Sequence, residues 1–411
     1  MSAWRDSRWL LPSALLLLVL LRVVPVLLIE VVPASDMAWY YQRAVGIVQI
    51  GQYAEGGKPT AYWPVGYPGF MAGIFAIAGS SVRVAQVTNV ALSLLAAVLL
   101  HAWCMRQFAS RWVALWAVCL LAVYPNHVGY SLGLYSEPLF TALLLGVCLL
   151  LRPGASAMRL LAAGVLAGLA TLVKTQMLLL VPPLVVLLSL KAWHGQSLID
   201  GLRRALLVTL VMLATIAPWS WRNHVAMGAF IPVSANGGMS LLAGNNPAMT
   251  TSLLTDYGDS SDLVKQVGFS AADQVAADRR ARAAAWQWIR ENPATFIGLM
   301  PKKLIRLWLP DGESEWALQM GYAGYDAHRT PIRALRFLNQ AYYFLLLGAM
   351  LLALRRWVDW RRPETLVVPL LCVYFSAISM VFSGQSRYHA PLMPFIIAYA
   401  ACAMMRLRRV R

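Results

Sequence analysis

Along this chain apolar residues gather in long, nearly unbroken runs, separated by short polar connections in which arginine recurs. The hydrocarbon core of a bilayer takes roughly 20 apolar residues per helix, and somewhat fewer where flanking side chains snorkel. On that scale the pattern predicts about ten membrane-spanning helices. They cover Trp9–Ile29, Val84–Trp103, Trp112–Tyr124, Pro138–Leu151, Leu160–Val173, Met177–Leu190, Ala205–Trp219, Leu338–Leu354, Leu366–Phe382 and Pro391–Met405. The stretch Tyr62–Ala78 is apolar but short and opens on proline and glycine, which fits a helix lying in or dipping into the interface. In the long segment Ser220–Asn339, Ala271–Glu291 reads as a helix rich in alanine and arginine, ended by Asn292-Pro293. After it, Phe296–Leu309 interleaves apolar residues with Lys302, Lys303 and Arg306, as a surface-lying amphipathic helix would. No strand pattern and no internal repeat is visible. The expected fold class is an all-α polytopic membrane protein. Its expected organisation is an N-terminal transmembrane module with the first loop (1–219), a long, mainly helical loop segment (220–337) and C-terminal transmembrane helices (338–411).

Composition supports the membrane class, since 59% hydrophobic and 13% charged residues are out of range for a soluble domain of 411 residues. The formal charge of +17 raises the question of nucleic acid. The basic residues, however, recur in clusters in alternate connections instead of forming one patch, and that pattern sets membrane topology. Nucleic acid is therefore excluded as a partner. The clusters are Arg5 and Arg8; Arg106 and Arg111; Arg152 and Arg159; Lys191, Arg203 and Arg204; Arg355, Arg356, Arg361 and Arg362; and Arg406, Arg408, Arg409 and Arg411. Lysine and arginine are retained on the cytoplasmic side, so both termini are expected inside and the other loops outside. The first run lacks a small-residue cleavage pattern behind it and reads as a retained helix. The five cysteines lie in or at the ends of apolar runs without metal-ligand spacing, so neither a disulfide nor a zinc site is expected.

The outer loops hold the residues that can carry chemistry. Asp36, just beyond the first span and followed by Trp39, Tyr40 and Tyr41, is placed as a general base for a hydroxyl nucleophile. It reads equally well as part of a helix N-cap with Ser35. Glu137, in Tyr135-Ser136-Glu137-Pro138, is a second outer carboxylate, and proline behind a polar residue is also an ordinary helix start. Lys174 and Arg387 sit on the side that the topology rule disfavours for cations, which points to an anionic partner. Arg222 is a third such cation, with contact to lipid headgroups as its plainer reading. Arg22 falls inside the first apolar run, where a charge faces a protein interior or a cavity; a lipid phosphate and a neighbouring helix are both open as its partner. Ser234–Pro247 offers Asn236 and Asn245 among glycines, suited to sugar hydroxyls and equally to turns. His127, beside Asn126, reads first as a cap or interface residue. There is no Walker loop, no Rossmann glycine fingerprint and no His/Cys metal spacing.

In this order the fragments SDMAWYYQRA, PTAYWPVGYPGFMAG, YPNHVGYSLGLYSEPLF, GLATLVKTQ, APWSWRNHVAMGAFIPVSANGGMSLLAGNNP, WIRENPATFIGLMPKKLIRLWLP and RYHAPLMPF resemble a known family. It is the C-type (GT-C) membrane glycosyltransferases, and within them the family 39-like group that includes protein O-mannosyltransferases and aminoarabinose transferases. The resemblance covers most of the chain. It implies a multi-span transferase that uses a polyprenyl-phosphate sugar at the outer face of the cytoplasmic (inner) membrane. Asp36 matches the family's first-loop catalytic acid and Glu137 its second outer carboxylate, while Lys174 and Arg387 fall where basic residues suit the donor phosphate. Tyr40, Tyr67, His127, Arg222, Asn236, Asn245, Tyr388 and His389 are the corresponding substrate-binding candidates. The chain departs from the family in Trp63-Pro64-Val65-Gly66, which lacks the usual double proline, and in His389, where a second arginine is common.

The reaction expected is an inverting transfer to a hydroxyl on a lipid, glycan or protein acceptor. No cofactor is required, although the two outer carboxylates are of the type that can share a divalent ion. The rival from another class is a transporter or flippase for a lipid-linked sugar, for which internal repeats and midplane polar residues are the signature.

Overall fold

The computed structural model describes residues 8–189, 197–250, 265, 267–268 and 273–410. Features expected at Arg5, Leu190, Lys191, Ala271 and Arg411, and at the side chain of Arg409, lie outside the described residues. The chain is an all-α polytopic membrane protein. In order, its helices are α1 (Leu10–Leu28), α2 (Ser35–Ile50), α3 (Gly66–Ala78), α4 (Val82–Phe108), α5 (Arg111–Ala122), α6 (Pro125–Gly129), α7 (Glu137–Leu150), α8 (Ala157–Val173) and α9 (Met177–Ser189). There follow α10 (Leu198–Met227), α11 (Gly237–Gly244), α12 (Gln274–Glu291), α13 (Pro293–Trp308), α14 (Glu315–Gly321), α15 (Arg329–Trp357), α16 (Val367–Val381) and α17 (Met393–Val410).

Each run predicted to span falls on one of these helices. Among the described residues, five segments are long and apolar enough to cross a bilayer: Leu10–Leu28, Val82–Phe108, Arg329–Trp357, Pro363–Val381 and Ser386–Arg408. Gly66–Ala78, Arg111–Ala122, Glu137–Leu150, Ala157–Val173 and Met177–Ser189 are shorter apolar helices. Two helices run across the expected segment boundaries, because α10 continues to Met227 and α15 begins at Arg329. The absence of strand pattern needs a correction: Ala54–Glu55 and Lys58–Pro59 pair as a minimal antiparallel hairpin. Its turn is Gly56-Gly57, both at positive φ, the geometry that a two-residue hairpin turn demands.

Without a hydrophobic drive between helices in lipid, packing depends on small residues that let backbones approach. α8 meets α10 in this way. A Cβ on Gly164 would lie 2.6 Å from Val211 and one on Gly168 2.4 Å from Thr215, a small-xxx-small seam. α4 packs on α5 and α7, and α17 packs between α5 and α15. Arg22, fully buried in mid-α1, pairs with another helix: its guanidinium donates to the carbonyls of Leu121 and Ala122, each at 3.1 Å, at the end of α5. Those carbonyls lack intrahelical partners and carry the negative end of the helix dipole, so the cation is compensated without a carboxylate.

Candidate functional site

The site forms where α1 gives way to α2. Asp36 lies in the first turn of α2, but no side chain caps that helix, whose N-cap is Ala34. The Asp36 carboxylate instead accepts from Arg387 Nη1 at 3.0 Å across a sequence separation of 351. Both side chains remain partly open, at 26% and 32% exposure, so the pair can meet a ligand. Arg387 sits on the 3-10 turn Ser386–Tyr388, with its Nε donating to Gln385 at 2.8 Å and its guanidinium 5.6 Å over the Tyr388 ring.

Glu137 opens α7 and is buried there; its carboxylate accepts from Lys174 Nζ at 2.9 Å, and Ser136 makes no side-chain cap bond. Arg387 also interacts electrostatically with Glu137, so two carboxylates and two cations form one charge-balanced cluster. Tyr40, one turn along α2 from Asp36, packs edge-on against Tyr67 at 5.2 Å and Trp63 at 6.1 Å. Burial first, and then the negative charges of Asp36 and Glu137, holds its phenol above the ordinary range, leaving a hydroxyl that stays protonated at neutral pH. The fragment around Gly66 brings this aromatic wall in: a Cβ there would lie 2.5 Å from the backbone of Leu172 and Val173, next to Lys174.

The structure thus brings Asp36, Tyr40, Glu137, Lys174 and Arg387 together, with Tyr67 and Tyr388 at the edges. It places the other sequence candidates in the scaffold. His127 is buried, 3.5 Å from Arg22 Nη2; burial and then the Arg22 charge lower it to about 3. Arg222 donates to the carbonyls of Tyr53 at 2.6 Å and Thr60 at 2.7 Å, tying α10 to the first loop. Asn236 is the residue before α11 and accepts from Ser234. Asn245 is buried, accepting from Lys303 Nζ at 2.8 Å and donating to the carbonyls of Leu241 and Val381. His389 is fully buried. Its ring stacks between Trp308 and Tyr343, with one nitrogen against the Leu307 carbonyl and the other against Asp311.

Residues that the sequence does not assign to the site hold it in shape. Lys303, expected on a charged outer face of α13, points inward and also donates to Met380 O at the end of α16, where burial draws its ammonium down to about 8. Glu313 accepts from Ser386 Oγ at 2.8 Å and so fixes the turn that carries Arg387. Asp311 and Glu313 stand in Pro310-Asp311-Gly312-Glu313, a turn sequence whose two acids were the available signal. Gly384 faces the Lys303 carbonyl oxygen, which a Cβ would approach to 1.9 Å. Gly384→Ala is expected to destabilise the fold by about 1–3 kcal/mol and to shift Arg387. An unchanged unfolding midpoint in detergent would show that the turn yields freely.

Among the described residues no three His, Cys, Asp or Glu side chains converge as a metal site. The family model described as dolichyl-phosphate-mannose-protein mannosyltransferase matches residues 63–221. No curated protein matches the chain. The oligosaccharyltransferase AglB from Archaeoglobus fulgidus, in complex with an inhibitory peptide and a dolichol-phosphate, is similar with a TM-score of 0.60 at 13% identity, covering 98% of this chain and 51% of that one. Its apo form gives a TM-score of 0.59 at the same identity and coverage. ArnT from Cupriavidus metallidurans in the apo state gives 0.45 at 15% identity, covering 95% and 77%. The chain spans about half the length of the archaeal oligosaccharyltransferase. The family model thus lies on the N-terminal helices, residues 63–221, and the chain shares its fold with the archaeal oligosaccharyltransferase over nearly its whole length.

Proposed function

We propose that the protein moves a sugar from a polyprenyl-phosphate donor to a hydroxyl acceptor, with Asp36 as general base. The observation that carries this reading is the 3.0 Å pair between Asp36 and Arg387. It sets a proton acceptor beside a cation suited to a leaving phosphate, at a partly open position. In the proposed step the acceptor oxygen forms a bond to the anomeric carbon as its proton passes to Asp36. The bond from that carbon to the phosphate oxygen breaks, the phosphate leaves with the electron pair, and the anomeric configuration inverts. Arg387 exchanges part of its contact with Asp36 for the phosphate, which frees the carboxylate as the donor seats. Lys174, held by Glu137, adds positive potential behind it, and the protonated Tyr40 hydroxyl supplies a hydrogen bond to the sugar or phosphate.

The dolichyl-phosphate donor in the family description and the dolichol-phosphate in the archaeal complex support a polyprenyl-phosphate donor. The arginine clusters support both termini inside and the site at the outer face of the cytoplasmic membrane. The 1–219 module is proposed to carry catalysis, with 220–337 covering it and 338–411 supplying Arg387. Asp36 and Glu137 are each already opposed by a cation, so the step is written without a metal. The flippase alternative has less support, because the charged cluster lies at helix ends instead of the midplane.

The test is transfer of radiolabelled sugar from polyprenyl-phosphate donors in proteoliposomes, followed to the acceptor fraction. Product bearing the label supports the transferase, whereas label that only crosses the bilayer sinks it. In the same assay Arg387→Ala is expected to weaken donor binding by about tenfold to a hundredfold, the loss of one charge-assisted contact. Unchanged donor affinity removes Arg387 from the phosphate site.

A further inference from the structure

At the end of α1 remote from Asp36, a cleft of ≈ 660 Å³ opens between α1, α5 and α17. Leu10, Ala14, Leu17, Leu115 and Met405 make its floor apolar. Trp112, Trp116 and Arg408 also line it, and Arg111 and Arg8 flank it along the chain, next to Trp112 and two residues before Leu10. Arg408 lies 5.1 Å over the Trp116 ring, Arg111 5.2 Å over Trp112 and Arg8 5.8 Å over Trp9. All three arginines are exposed, and among the described residues none has a carboxylate partner within ion-pair distance. On α1 the cleft reaches from Leu10 to Leu17, which leaves roughly 16 Å of helix between it and the end that leads to Asp36, so it is not part of the catalytic cluster.

We infer that this cleft binds one anionic phospholipid of the cytoplasmic leaflet, with an acyl chain on the apolar floor and the phosphate headgroup among Arg8, Arg111 and Arg408. The arginine-rich ends that meet here are the ends retained on the cytoplasmic side, where anionic lipids concentrate. Tryptophan at this depth is the usual anchor of the headgroup level. An acyl chain gains from burying each methylene, and each arginine near an anionic headgroup adds to the attraction. A zwitterionic headgroup leaves the three cations without net compensation. A second copy of the chain across a two-fold axis brings the same three cations face to face, which disfavours a dimer through this surface. The assignment stands apart from the catalytic reading.

The experiment uses the full chain, purified and delipidated in detergent, and measures lipid retained after gel filtration by mass spectrometry. About one phosphatidylglycerol per protein is expected, with phosphatidylcholine retained at least roughly tenfold less. Arg111→Gln with Arg408→Gln is expected to lower phosphatidylglycerol retention roughly tenfold, and Ser13→Trp, which fills the cleft without changing charge, to block it. Glycerophosphoglycerol, the headgroup without chains, is expected not to be retained. Equal retention of the two lipids in the wild type overturns the inference, as does phosphatidylglycerol retention unchanged in both variants. A dimer that Ser13→Trp dissolves assigns the cleft to a second copy and overturns it too.

Discussion

Asp36→Asn is expected to slow sugar transfer by about 10²–10⁴-fold while the protein folds and still binds its donor. Asparagine keeps the shape of the side chain and removes its capacity to take a proton. The fold tolerates the change because the pair with Arg387 is partly solvent-exposed, and such pairs contribute little to stability. Donor affinity is expected to stay the same or to tighten, since Arg387 no longer divides its charge between Asp36 and the phosphate. Loss of turnover together with retained or tighter donor binding separates a base from a structural acid, whose removal weakens both. Asp36→Glu restores a carboxylate but moves it along by one methylene, and is expected to recover part of the rate. The measurement is single-turnover transfer of radiolabelled sugar at matched protein concentration, with donor binding measured in parallel. Turnover above a tenth of wild type in Asp36→Asn would remove Asp36 as the base.

The positions of the helices were legible because a bilayer imposes a length on every apolar run, and α1, α4, α7, α8 and α16 follow the expected limits within a few residues. Asp36 and Glu137 were legible as candidates for the same reason, since each is a carboxylate just outside an apolar run. Their partners were not. Arg387 reaches Asp36 across 351 residues and Lys174 reaches Glu137 across 37, and no local pattern encodes which loops meet. The question of cap or catalyst, open for both acids, depends on where a side chain turns. The structure turns both toward cations, Asp36 to Arg387 and Glu137 to Lys174. Asn245 and His389 show the converse. Polar residues in a glycine-rich or turn sequence look like sugar contacts, yet here each satisfies groups that burial would otherwise strand. Lys303 misleads for a related reason: periodicity marks it as facing water, but its ammonium caps the carbonyls at the end of α16.

The buried pair Asp311–His389 is expected to carry the largest stability effect in the molecule. Asp311 accepts from Tyr124 Oη and Asn126 Nδ2 at 2.6 Å, from Asn339 Nδ2 at 2.7 Å and from His389 Nε2 at 3.0 Å. His389 Nδ1 faces the Leu307 carbonyl at 2.5 Å, so both ring nitrogens are engaged. The ring is held between the faces of Trp308 and Tyr343 at 5.7 and 5.0 Å. Asp311→Asn puts an amide donor among four buried partners and breaks the buried pair with His389, which is expected to cost about 3–5 kcal/mol. Because His389 lies two residues from Arg387, the same change is expected to weaken donor binding. Burial alone pushes the Asp311 carboxyl up, but the hydrogen bond and charge of His389, with the bonds from Tyr124 and Asn339, outweigh it and hold the group below its usual value of 3.8. A depressed folded value means that the stabilisation is complete above pH 3.8 and is lost as pH falls through the folded value, so wild type loses this increment in acid and Asp311→Asn does not. The measurement is a double-mutant cycle with His389→Gln on unfolding in detergent. Single effects that simply add, or an acid profile identical in wild type and Asp311→Asn, would show that the two side chains are not a pair.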